Sequence, residues 1–300
     1  MNRATFSKSV VPGLFSFMNS ALVRRPKYYD RITKGKTSKK AYEESAYFAG
    51  LGLMPEKPEG EQISYDQFIQ GPTKRWVHKT YGLGIRISEE LIDDSLYPDV
   101  PSEMGEMSKE LGNSAAETQE ILVHDLFNNG TVTTNHTAGD GLAVFSTAHK
   151  SLNGSTWSNR SAANSSLSAT SLKQGFLDFE NTLSDRGIQQ VQRPKTLLVP
   201  PALEFTAREL VESQYDPESG NNNINTLQTR GLEIIVDPFL TSTTAWFLIG
   251  DENPLIVFMR RAPKFAQDGD FETGDAKFKG TFRLSYETNK PIGVYMNAGA

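Results

Sequence analysis

A single amphipathic stripe constrains this chain more than any other feature. Between residues 102 and 127, Met104, Met107, Leu111, Ala115, Thr118, Leu122 and Leu126 recur at spacings of 3, 4, 4, 3, 4 and 4, the period of one helix face. Asn128-Asn129-Gly130 follows as a favourable left-handed terminus. At 1.5 Å per residue such a helix is about 39 Å long. So long a rod with so narrow an apolar stripe suits the spine of an elongated subunit better than the centre of a compact enzyme.

Charge is distributed just as unevenly. Residues 1–40 hold ten of the 31 Lys and Arg residues but only Asp30 among the 36 Asp and Glu residues, so a basic arm precedes an acidic body. Within it, Tyr28 and Tyr29 stand among eight cations, including Arg24, Arg25 and Lys27. This composition suits a nucleic-acid phosphate backbone or the acidic body of a neighbouring copy; a solvated terminus is the plainer alternative. Gly35-Lys36-Thr37 imitates the end of a phosphate-binding loop, but Asp30 stands where that motif needs glycine. The absence of cysteine excludes thiol catalysis, zinc-thiolate sites and disulfides. The run 10–18 imitates a signal peptide, yet Pro12 interrupts it and no clean cleavage site follows. No run approaches the roughly 18 apolar residues a membrane span needs. A soluble protein made in the cytoplasm is expected.

The remaining layout is legible in outline. Strands are expected over 62–69 and 74–87, joined at Gly71-Pro72-Thr73, with Tyr81, Leu83, Ile85 and Ile87 sharing a face. The outer part of that hairpin, with Lys74, Arg75, Trp76, His78 and Lys79, has too few apolar residues to build a core. Trp76 among cations is expected to be an exposed interface anchor, with a surface tryptophan covering its own domain as the equal alternative. Ser88 caps a short predicted helix over 89–96. His124 beside Asp125 invites a metal or proton-relay reading, against which a histidine at a helix end is preferred. Eight serines over 151–171 mark a loop. Helices at 171–183 and 202–212 alternate with strands at 196–199, 232–236, 245–249 and 255–259, implying a small mixed lobe. Strands at 277–286 and 292–296 close the chain. The acidic loop 268–275 has its glycine one position late for a calcium loop and lacks the distal glutamate, so no metal is expected.

Asp140, Ser146 and His149 lie within ten positions and suggest a serine hydrolase. The Gly-x-Ser-x-Gly elbow is missing, and no glycine-rich oxyanion signature accompanies them. The stretch is better read as a turn at Asp140-Gly141, a short buried strand over 142–145 and a polar exit. No catalytic, cofactor or metal site is expected.

The order of these parts resembles the major capsid proteins of tailed bacteriophages. The stretch Asp140-Gly141-Leu142-Ala143-Val144-Phe145-Ser146-Thr147-Ala148-His149, the segment Arg193 to Leu203 (RPKTLLVPPAL) and Leu232-Glu233-Ile234-Ile235-Val236-Asp237 are similar to the Mu-like major head subunit family. The resemblance implies an α+β fold of the Hong Kong phage type, with five parts. These are an N-terminal arm (1–45), an extended loop hairpin (46–87), a peripheral domain (88–167) on a spine helix at 102–127, an axial domain (168–258) and peripheral return strands (259–300). It also implies pentamers and hexamers closing into an icosahedral shell around double-stranded DNA, as a virion capsid built in the bacterial cytoplasm. A separate scaffolding protein and a portal are expected as partners, and no membrane. Arg24, Arg25, Lys27, Lys74, Arg75, Trp76 and Lys79 are the assembly candidates. Some relatives crosslink a loop lysine to a neighbour's asparagine, for which Lys57, Lys74, Lys79 and Asn297 are the available types. A cargo-enclosing shell of the same fold is the alternative function.

Overall fold

The computed structural model describes residues 3–24, 26–88, 90, 102–215, 223–269 and 272–300. The expected helix at 89–96 lies outside them, apart from Glu90. The stripe forms one helix, Ser102–Asn128. Met104, Leu111 and Leu126 on it are buried, whereas Met107 is partly exposed. Ser108, Gln119, Glu120, Val123, His124 and Phe127 are buried as well, so the helix is covered on more than the predicted face.

The basic arm is not a free, solvated terminus. Its first part is a helix, Arg3–Arg24, which lies along the spine helix with Val11, Leu14 and Met18 buried against Met104 and Leu111. The apolar run that imitated a signal peptide is this packing face. Contact is close at Gly112, where a Cβ would overlap the Met18 carbonyl. After the short helix Tyr29–Ile32, β1 (Lys34–Thr37) pairs in parallel with β10 (Ile256–Gly269). Gly35-Lys36-Thr37 is therefore edge strand, and the arm is folded onto its own body.

The expected hairpin has different partners. β2 (Tyr42–Ala49) pairs with β3 (Ile69–Val77), which runs straight through Gly71-Pro72-Thr73. The second expected strand is split at His78, after which β4 (Lys79–Ile87) pairs with β11 (Ala276–Glu287). The extended loop is thus bounded by β2 and β3, and its tip is the loop 50–68. β1, β10, β11 and β4 form one four-stranded sheet in that order. One face of it packs Phe278, Ala276 and Ile87 on the two long helices. β10 loses regular register between Met259 and Lys264; Pro263 in this stretch has no N–H to give the ladder.

The second sheet runs β12 (Val294–Asn297), β9 (Trp246–Gly250), β7 (Pro194–Val199), β8 (Glu233–Val236). Leu197, Val199, Trp246 and Leu248 pack on one side with Leu172, Phe176 and Phe179 from the helix Ala169–Glu180, and with Leu210 from the helix Glu204–Glu212. Leu198, Phe247 and Ile249 on the other side meet Leu126, Phe127, Val144 and Phe145. The end of the spine helix is thereby locked to this lobe. β12 belongs here and not with the peripheral return strands, so the last strand crosses back. Ala143, Val144 and Phe145 are buried but the stretch 142–145 forms only one bridge, Thr137 to Ala143, and the two-residue strands β5 (His149–Lys150) and β6 (Thr156–Trp157) pair just beyond it.

Candidate assembly interface

The hairpin β2–β3 leaves the body with its base covered. Trp76, expected to be exposed, is only 4% exposed and packs its indole on Phe258 at 5.4 Å. It is a core contact because β3 crosses the first sheet, a long-range pairing with no local signature. His78, where the chain passes from β3 to β4, lies between Ser285 Oγ (2.9 Å) and Ser38 Oγ (3.0 Å). Burial, with Arg283 nearby, holds its pKa below the usual histidine value.

The other candidates are scattered. The Lys74 ammonium donates to the Thr137 carbonyl. Arg75 lies over the Tyr42 ring at 4.2 Å and pairs with Glu44 at 3.4 Å. Lys79 and Lys27 are exposed. Arg25 and the side chain of Arg24 lie outside the described residues. The structure brings Lys74, Arg75 and Trp76 onto one strand and leaves Lys27 at the arm junction.

The loop tip was missed. Leu53, Met54, Ile63, Tyr65 and Phe68 are exposed there, Met54 at 98% and Tyr65 at 94%. Apolar surface of this kind marks a place where something else packs. Its signal in the sequence is an apolar content without strand or helix period between Gly and Pro residues. Arg186 fixes the neck of the tip: its guanidinium donates to the Gly50 carbonyl (3.0 Å), Asp66 Oδ1 (3.2 Å) and the Gln67 carbonyl (2.6 Å). Asp66 in turn accepts from the Gly52 N–H at 2.8 Å. Backbone N–H donors and Arg186 hold the Asp66 carboxyl below the usual range.

A second junction ties the arm to the body. Glu120 accepts from the backbone N–H groups of Tyr28 (2.9 Å) and Tyr29 (3.1 Å). One turn on, His124 is fully buried, with Nε2 at 2.5 Å from Asp237 Oδ2 and Nδ1 at 2.6 Å from the Glu120 carbonyl. His124 is therefore more than a dipole-favoured helix end: it joins the spine to the residue following β8. Burial alone would lower its pKa, but Asp237 and Glu120 outweigh that and raise it. Arg31 adds an exposed pair with Glu233 at 2.8 Å.

The hydrolase constellation does not assemble. His149 Nδ1 faces Asp140 Oδ2 at 2.8 Å, Nε2 faces the Val144 carbonyl at 3.2 Å, and the ring stacks on Trp157 at 4.6 Å. The Ser146 hydroxyl accepts from the Ala148 N–H at 3.3 Å. Both ring nitrogens of His149 are turned to other acceptors, so no base serves Ser146. In the acidic loop, Asp275 is held by Arg86 (3.2 Å) and Thr273 (2.8 Å); residues 270 and 271 lie outside the described residues. Among the described residues no cluster of three or more His, Asp or Glu residues is placed to hold a metal. None of the described helices is long and apolar enough to cross a membrane.

A helix-backed sheet with a projecting hairpin, joined through a spine helix to a mixed lobe, is the Hong Kong phage-type fold of shell-forming subunits. Three solved structures share it. A capsid of the cyanophage P-SCSP1u is 12% identical, with a TM-score of 0.55 over 91% of this chain and 88% of the other. An encapsulin complex from Synechococcus elongatus is 9% identical, with 0.54 over 92% and 89%. A capsid of bacteriophage JBD30 decorated with minor capsid protein trimers is 15% identical, with 0.53 over 72% and 92%. No curated protein sequence matches the chain. Residues 72–297 match the family described as phage capsid protein, and the chain belongs to that family. It is a phage capsid protein, a structural subunit.

Proposed function

We propose that this capsid subunit belongs to the Mu-like line, assembles as pentamers and hexamers, and encloses double-stranded DNA with the help of separate scaffolding and portal proteins. The observation that carries the multimeric reading is the loop tip, whose apolar side chains are uncovered in the single chain. A hairpin of this kind is marginal in water without a further surface, and head-to-tail contacts between identical copies generate closed rings. Arg75 presents charge on the hairpin, Lys79 at the start of β4, and Lys27 lies beside the arm junction. Decorating proteins, such as the minor capsid protein trimers on the JBD30 capsid, fit the same plan.

The test is negative-stain microscopy of the purified protein as its concentration is raised. Rings or closed shells are expected; a strictly monomeric protein refutes the reading. Because an encapsulin shares the fold, the contents are tested separately. Particles recovered from infected cells should hold nuclease-protected double-stranded DNA, and particles filled with protein cargo would favour the alternative.

A further inference from the structure

The arm, the spine helix and the loop after β8 meet around a cavity of about 240 Å³. Pro26, Lys27 and Pro238 form its exposed rim. Leu22, Ala116, Tyr28 and Phe239 wall it, and the Tyr28 and Phe239 rings meet edge to face at 5.9 Å. Its floor is buried and polar, made by Tyr29, Gln119 and Glu120.

That floor offers acceptors and negative charge. Glu120 Oε1 and Oε2 each accept one backbone N–H, from Tyr28 and Tyr29, about half of what a carboxylate can take. The Tyr29 hydroxyl is turned to Gln119 Oε1 at 3.5 Å, and Gln119 Nε2 donates to the Ala115 carbonyl at 2.8 Å. Beneath the floor, His124 stands 3.6 Å from Glu120 Oε2 and 2.5 Å from Asp237 Oδ2. One imidazolium therefore faces two carboxylates, and a net negative charge is left. Burial holds the Glu120 carboxyl above the usual range, as for a carboxylate incompletely matched by cations. Among the described residues lining the cavity the one cation is Lys27, which is exposed at the rim. Apolar and aromatic walls above such a floor are complementary to a cation on a small apolar body.

We infer that this cavity is a binding site for a small organic ammonium, its apolar body against Leu22, Tyr28 and Phe239 and its ammonium toward Glu120. An anion meets repulsion from Glu120, and a purely apolar molecule leaves the floor's acceptors unmatched. A bound ammonium touches the arm, the spine and the loop after β8 together, so it clamps the junction at which the arm joins the body. The site is complete within one chain and does not depend on how copies meet.

Phenethylammonium tests the site, with phenylpropionate and phenylethanol as anionic and neutral counterparts of similar size. Titrated into unassembled subunits and followed by saturation-transfer NMR, the ammonium should bind saturably with a Kd on the order of 1 mM, as expected of so small a ligand. The carboxylate should bind at least about tenfold more weakly, because it meets like charge. Hydrogen exchange at residues 26–29 should slow as the ammonium binds. Ala116→Met fills the cavity without altering its acceptors; thermal unfolding checks that the variant folds, and ammonium binding should be lost. The three compounds are compared in wild-type protein, so that result stands whether or not the variant folds. Absence of saturable binding, equal or tighter binding of either counterpart, or undiminished binding to folded Ala116→Met overturns the assignment. So does exchange protection confined to other parts of the chain.

Discussion

Replacing Asp237 with alanine should destabilise the subunit by about 3–5 kcal/mol, the usual cost of removing one partner from a buried ion pair. His124 and Asp237 are both fully buried at the contact, so the imidazole left behind cannot recover its hydration. Asp237 Oδ1 also accepts the Phe239 N–H at 2.9 Å, a further hydrogen bond lost. Three segments meet here, since Glu120, one turn before His124, receives Tyr28 and Tyr29 from the arm. Denaturant unfolding of unassembled subunits should show the loss, and hydrogen exchange at residues 26–33 should rise with it. A change below about 1 kcal/mol would refute the account of this pair as the junction's main support.

The same pair sets a pH dependence whose sign follows from its surroundings. His124 is raised above the ordinary histidine value of about 6.5. Its contribution is therefore complete below that value and is lost as pH rises through the raised one. Glu120 is raised by burial, against the Tyr28 and Tyr29 N–H donors, and acts in the same direction across the carboxylate range. Asp140 has the opposite sign. Burial resists its ionisation, but His149 and the N–H groups of Leu142 and Lys150 outweigh it and lower the pKa. Its contribution is present above the carboxylate range and fades in acid. Wild-type stability should fall on the alkaline side, and Asp237→Ala should flatten that fall. An unchanged alkaline slope in the variant would show that another group titrates there.

Three further tests address separate parts. Gly112→Leu should lift the first helix from the spine and cost about 1–3 kcal/mol as overpacking, read as new protease cleavage before residue 24. Arg186→Ala removes three hydrogen bonds from the loop neck, each contributing about 1 kcal/mol or less at an exposed site; exchange at residues 50–67 should rise while global unfolding barely moves. Ser146→Ala should change stability by less than about 0.5 kcal/mol and leave assembly intact, whereas His149→Ala, losing Asp140 and the Trp157 stack, should be clearly destabilising by thermal unfolding.

What the sequence made legible was governed by short range. The stripe from Met104 to Leu126 specifies a helix because its period is local, and the alternation in 277–286 specifies β11 for the same reason. Pairing is different. Nothing near Ile69 tells it to align with Ala49 rather than with the strand after Gly71, since register depends on the surface the hairpin crosses. Trp76 was misplaced for that reason: beside Lys74 and Arg75 it reads as surface, and only Phe258, far along the chain, makes it core. The arm failed likewise, because a stretch with Arg3, Lys8 and a proline has little helical signal until Met104 and Leu111 offer it an apolar groove. Glu120 and Asp237 carry no local mark at all.

These failures share a physical cause that bears on how the subunit works. Each misread element is stabilised by a partner distant in sequence, and each lies where the chain meets either its own remote segment or another copy. The first helix, with five basic residues in or next to it and few apolar neighbours of its own, depends on the spine for its core. The loop tip has no such surface within the chain, and Arg186 grips only its neck. An element of that kind contributes to stability when a second molecule supplies the missing face. Exposed apolar residues at 53, 54, 63, 65 and 68, beside glutamates at 56, 59 and 61, are therefore consistent with a fold completed by neighbours. On this account, raising ionic strength should weaken charged contacts between copies before it unfolds any subunit, whose buried His124–Asp237 pair is shielded from salt.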